Sequence, residues 1–216
     1  MQGDAAEFYK NSLLYLAFTP IETLSIPQRH ALAYDLGLAA LCGEKQYQFG
    51  ELLLHPILQS LQGTSAQWLV EMLNAFNAGD IQAFETVSKV HGAAIQAEQT
   101  LVLNSQRLRE KIRIFALMQL VREMPAHSRT LPFADIAART ALPEEEVELL
   151  LMRSLSLGLI KGSINQVEAS VRVTWVQPRV MDREAIGKQT GKLKDWMDKV
   201  QRTSVFLANE TPEILA

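Results

Sequence analysis

Residues 143–180, PEEEVELLLMRSLSLGLIKGSINQVEASVRVTWVQPRV, constrain the fold most, because the hydrophobic period changes within them. Val147, Leu150, Leu151 and Ser154 recur at helical spacing and predict a helix with one face toward a core. Pro143 suits the first helical position, and Glu144, Glu145 and Glu146 place negative charge at the positive end of the helix dipole. Gly158 can take the left-handed conformation that ends a helix, with Leu159 folding back as its hydrophobic contact. Beyond it the period falls to two. Ile160, Gly162 and Ile164 alternate in one strand, and Val171, Val173 and Trp175 in a second, where Trp175 is expected in the core.

Upstream, the run from Leu131 through Ala138 predicts a short helix packed on the long one. Helix, helix, strand, strand is how a winged-helix module is built. Such a module normally offers its second helix to the DNA major groove, where phosphates reward Lys and Arg and repel carboxylates. Here that helix would present Glu145, Glu148, Leu149, Met152 and Arg153. Apolar side chains among acids suit a protein neighbour better than a phosphate backbone. The glutamates either face such a partner or only start the helix; the surface is acidic in both cases.

Composition agrees. The 216 residues suffice for a real core in one to two domains, and 21 basic against 24 acidic residues leave a net charge of −3, without a polybasic patch. The single cysteine, Cys42, excludes an internal disulfide and reads as a buried thiol in a reducing compartment. Asp35 interrupts one apolar run, arginines flank another, and the first residues lack a basic-then-apolar signal pattern, so a soluble intracellular protein without a membrane partner is expected. Catalysis is not. His30, His55, His91 and His127 lie far apart in sequence without partners at metal-ligand spacing, and there is no phosphate loop, nucleophile elbow or zinc-protease helix. No cofactor or metal is expected.

The remainder predicts a mainly α protein. About the first hundred residues alternate apolar helical faces with breaks at Thr19-Pro20, at His55-Pro56 and at Asn77-Ala78-Gly79-Asp80. Thr64 or Ser65 is expected to cap the helix carrying Trp68, Leu69, Met72, Leu73 and Phe76, which Gly79 ends, and Asp80 caps the next. Tight helical hairpins without a strict repeat period describe an irregular helical-repeat region, TPR- or HEAT-like. A long helix is expected from about Gln96 to Met124, with Leu108, Ile112, Phe115 and Leu120 inward. Its Arg107, Arg109, Lys111 and Arg113 form either a solvated or salt-bridged face or a contact for an acidic neighbour. Past Pro178, a final helix starting near Asp182 carries Ile186, Leu193, Val200 and Leu207 seven residues apart, with Trp196, Met197 and Thr203 between them. That is an incomplete coiled-coil seam, weakened by Gln189 and Thr190, which either folds back on the winged helix or, the favoured expectation, packs with helices of other chains.

Helical repeats running into a winged helix and closed by a terminal helix resemble the PCI domain, the module shared by the proteasome lid, the COP9 signalosome and a translation initiation factor. The segments FGELLLHPILQSL, QWLVEMLNAFNAGDIQAF, EVELLLMRSLSLGLIKGSI and VTWVQPRV, in order from about Phe8 to the end, resemble the lid branch of that family. The resemblance implies three parts: residues 1–106 as the helical-repeat part of a PCI domain, 107–180 as its winged-helix part and 181–216 as an assembly helix. It also implies a helical arm ahead of this region, so that the chain would be a C-terminal portion of a longer protein. The implied function is a non-catalytic scaffold in a hetero-oligomer with other PCI and lid subunits of the proteasome regulatory particle, cytoplasmic and nuclear, serving ubiquitin-dependent protein degradation. Winged helices of that family associate edge to edge and their C-terminal helices gather into a bundle. By that likeness Gly162, Ser163, Ile164, Val171, Val173 and Val176 are the candidate lateral interface. Ile186, Leu193, Trp196, Met197, Val200 and Leu207 are the candidate bundle interface. The alternatives are a PCI scaffold of the signalosome or initiation factor, or a winged-helix nucleic-acid binder, which the acidic helix disfavours.

Overall fold

The computed structural model describes residues 5–125, 129–180 and 183–210, and His127 and Asp182 lie outside them. The chain divides into two compact units, Met1–Arg179 and Val180–Ala216.

In the first unit, α1 (Ala5–Phe18) stops before Pro20 and packs on α2 (Ile26–Cys42). The α2 start is fixed by sequence: Pro27 lies in its first turn and the Gln28 side-chain oxygen accepts from the Ser25 N–H at 3.0 Å. A short α3 (Gly50–Leu54) ends at His55, whose extended backbone precedes Pro56 and whose Nδ1 accepts from the Ile57 N–H at 3.3 Å. A 3₁₀ turn (Pro56–Leu61) leads to α4 (Gln67–Ala78), which buries Trp68, Leu69, Met72, Leu73 and Phe76. Neither Thr64 nor Ser65 caps α4. The cap position is Ala66, and the Thr64 hydroxyl instead donates to the Leu61 carbonyl, closing the preceding turn. Gly79 ends α4 at φ 67°, and the Asp80 carboxylate accepts from the Ala83 N–H to start α5 (Ile81–Val90).

The long helix expected from Gln96 is three pieces: α6 (Gly92–Ala97), α7 (Gln99–Leu103) and α8 (Ser105–Glu123). Local side chains compete with the helix at both breaks. The Glu98 carboxylate accepts from the Tyr34 hydroxyl of α2, and the Asn104 amide donates to the Thr100 carbonyl at 2.8 Å. α8 is the spine of this unit. Leu108, Ile112, Phe115 and Leu117 pack inward, and Phe115 joins Phe49, Phe76 and Tyr47 in an aromatic cluster with ring centroids 5.0–6.0 Å apart.

The winged-helix part adds β1 (Thr130–Pro132), α9 (Phe133–Thr140), α10 (Glu144–Ser156), β2 (Ile160–Asn165) and β3 (Ser170–Val176). Leu131 and Pro132, expected to open the short helix, form β1 instead. Leu131 pairs with Val171, and the Val173 N–H donates to the Arg129 carbonyl, so a third strand was hidden in the approach to α9. Gly158 ends α10 at φ 70°, with the Leu159 N–H on the Ser154 carbonyl and Leu159 itself buried. Both parts of the first unit, helical repeats and winged helix, thus share one continuous core, in which each fully buried Leu or Ile contributes roughly 1.5–3 kcal/mol.

The second unit is a single 28-residue helix, α11 (Arg183–Glu210). With the first it completes a mainly α chain of helical repeats, winged helix and C-terminal helix.

Candidate interaction surfaces

α10 turns its faces as its spacing dictates. Val147, Leu150, Leu151 and Ser154 are buried, the Ser154 hydroxyl donating to the Leu150 carbonyl. The outward face leaves Leu149 and Met152 more than half exposed beside Glu145, and Arg153 reaches Glu110 of α8 at 3.2 Å. The first turn carries Glu144, Glu145 and Glu146, all exposed, so a nucleic-acid backbone brought here would meet carboxylates.

The sheet runs β1-β3-β2, all antiparallel. Its order corrects part of the lateral-interface expectation. Val171, Val173 and Val176 lie on the central strand, and Val171 and Val173 are buried against the helices. Two extended runs in sequence cannot reveal which is central when the third strand is only three residues long. Gly162, Ser163 and Ile164 lie on β2, an outer strand, with Gly162 and Ser163 exposed and Ile164 partly buried.

Trp175 is also corrected. It is 39% exposed, with the Lys161 ammonium 5.1 Å from its ring centroid. A β-bulge between Lys161 and Gly162 interrupts the ladder next to it, so the alternation that buries Val171 and Val173 stops short of it.

On α11 the seam is fully on the surface. Ile186, Leu193, Trp196, Met197, Val200 and Leu207 are each 48–62% exposed, and Val205 and Phe206, which the heptad reading passed over, are exposed with them. Contiguous apolar surface of this kind is what protein–protein contacts are commonly built from.

The basic run of α8 divides by function. Arg107 pairs with Glu44 at 2.8 Å on the surface. Lys111 is buried: its ammonium donates to the carbonyls of Ala40, Leu41 and Gly43 at 2.8–3.0 Å and lies 5.1 Å from the Phe49 ring centroid. It therefore satisfies the last-turn carbonyls of Ala40 and Leu41 at the end of α2, where the helix dipole favours a cation, and shares that of Gly43 with the Gln46 N–H. Burial pulls its pKa down to about 7, opposed by the neighbouring Cys42. Cys42 is partly buried rather than fully, and its thiol pKa is raised by burial. The exclusively local spacing of the sequence gave no hint that Lys111 and the end of α2 meet.

Among the described residues no group of three or more His, Cys, Asp or Glu side chains could hold a metal ion, and no helix is long and apolar enough to cross a membrane.

Comparison with known proteins agrees with this architecture. The model of PSD13 N-terminal repeats matches residues 1–73 and that of the PCI domain matches residues 89–175. The 26S proteasome non-ATPase regulatory subunit 13 homolog B of Arabidopsis thaliana is 47% identical over 216 residues, 100% of this chain and 56% of the relative. The 26S proteasome non-ATPase regulatory subunit 13 of Dictyostelium discoideum is 41% identical over 215 residues, again 100% of this chain and 56% of the relative. Eukaryotic translation initiation factor 3 subunit M of Aspergillus oryzae is more distant, at 26% over 208 residues, 96% of this chain and 44% of the relative. The chain spans about half the length of the curated subunit 13 relatives it matches. A PCI-model match over the spine and winged helix, joined to end-to-end likeness with these subunits, makes the chain a PCI-domain protein resembling non-ATPase regulatory subunit 13 of the 26S proteasome.

Proposed function

We propose that the chain is a non-catalytic scaffold subunit of the proteasome regulatory-particle lid. It would act by holding neighbouring subunits in place and so support ubiquitin-dependent protein degradation in cytoplasm and nucleus. The observation that carries this reading is the likeness along the whole chain to proteins named as proteasome regulatory subunit 13. The means of assembly is the exposed apolar stripe of α11, centred on Leu193, Trp196, Met197 and Val200, which suits a bundle with helices of other subunits. The outer strand β2, at Gly162, Ser163 and Ile164, offers backbone groups for a lateral contact with a neighbouring PCI domain.

A second scaffold reading, in an initiation factor complex, draws on the weaker likeness to subunit M. Affinity purification of the tagged chain from cells, with its companions identified by mass spectrometry, separates the two. Lid subunits together with proteasomal ATPases are expected. Recovery of initiation factor or signalosome subunits in their place refutes the lid assignment.

A further inference from the structure

We infer that a cleft in the helical layer is a docking groove for an acidic amphipathic helix of a partner protein. The cleft lies among α5, α6, α7 and α8 and encloses about 680 Å³. Its floor is apolar, with Met72, Leu101, Leu108 and Ile112 buried and Phe84 and Ile95 partly exposed at its walls. Charge sits on the rim. Arg109 and Arg113 line the α8 side, and Lys89 lines the α5 side, where it pairs with Glu85 at 3.7 Å.

The two arginines differ from the others around them. Arg107, Arg139 and Arg153 each pair with a glutamate, whereas neither Arg109 nor Arg113 has an ion-pair partner among the described residues. Four residues apart on one helix, they spring from backbone positions about 6 Å apart along the axis and from neighbouring points on one face. A partner helix with carboxylates at the same i, i+4 spacing can meet both forks, while its leucine stripe covers the floor. A phosphate backbone would satisfy the arginines but leave the floor uncovered, so the apolar lining selects protein over nucleic acid. The groove belongs to the chain itself and is independent of which assembly receives it.

Fluorescence anisotropy tests this on the full chain. The probe is a labelled helical peptide with leucine on one face and glutamate on the other, and the control replaces each glutamate by lysine. The acidic peptide is expected to bind saturably, to weaken as salt rises, and to lose roughly tenfold or more in affinity with R109E/R113E at unchanged melting temperature. R109K/R113K should retain part of the binding. A Leu193→Asp/Val200→Asp variant, which breaks the α11 stripe, should bind as the unmodified chain does. Equal affinity for the lysine peptide, or full affinity after charge reversal, overturns the groove. So does loss of binding in the α11 variant, which would seat the peptide on α11. Binding of a labelled duplex oligonucleotide that disappears with R109E/R113E would make the occupant a nucleic acid, and self-association that disappears with it would make the occupant a second copy. Either contradicts the inference.

Discussion

Lys111 shows how much one side chain can carry outside any local pattern. In sequence it is one of four cations on a basic helix face, and surface exposure was the simplest reading of all four. In the fold its ammonium closes the end of α2, about seventy residues away along the chain, because the last-turn carbonyls of Ala40 and Leu41 have no further helical N–H to meet and that of Gly43 lies beside them. Periodicity reports which face a residue occupies but not that a carbonyl cluster waits opposite. Trp175 failed for a related reason: alternation placed it inward, and only the paired strand reveals the bulge that ends the alternation. The Lys111 environment has a measurable consequence. Its pKa falls from the ordinary Lys value to about 7 on folding, so between those values the unfolded chain binds more protons than the folded one. Stability therefore gains from this group as pH rises above about 7. Below that pH the cost of burying the charge is fully present. Thermal unfolding from pH 7 to 8.5 should show a rising melting temperature that flattens in Lys111→Met. An identical slope in the variant contradicts the assignment. Tyr9 and Tyr34 act in the opposite sense only at higher pH, since burial raises both phenols and the unfolded chain ionises them first.

Among the elements, helices with caps written in sequence were legible, and those divided by longer-range contacts were not. Gly79 and Asp80 set the end of α4 and the start of α5 where the sequence puts them, and Gly158 ends α10 in the same way. The breaks at Glu98 and Asn104 escaped, because Glu98 is held by Tyr34 from α2 and no capping pattern announces it. β1 escaped because three residues are too few to show a period and pair only once β3 is in place. With β1 in place, Val171 and Val173 face the core from the middle strand rather than from an edge. The α4–α5 hairpin gives the clearest test at this scale. Gly79 combines φ 67° with a tight approach to α8, where an added Cβ would lie 2.9 Å from the Phe115 carbonyl oxygen. Gly79→Ala should cost about 2–4 kcal/mol by denaturant unfolding, since backbone strain and displacement of the spine helix add. A cost below about 1 kcal/mol would mean that the hairpin does not hold α8 this closely.

For the whole molecule, order along the chain was more legible than the packing within it. Helical repeats, a winged helix and a terminal helix follow in the expected sequence, because each is announced by period, punctuation or heptad spacing. The acidic α10 and the exposed α11 stripe motivate the proposed function: a surface poor for phosphates and an apolar helix face open to contact. The central claim is that assembly runs through that terminal helix. Its most direct measurement is quantitative incorporation into the lid of the chain cut after Val180, compared with the full chain in the same cells. The shortened chain should keep the cooperative melt of its helical and winged-helix core and be absent from the assembled lid. Incorporation at the level of the full chain would contradict the claim.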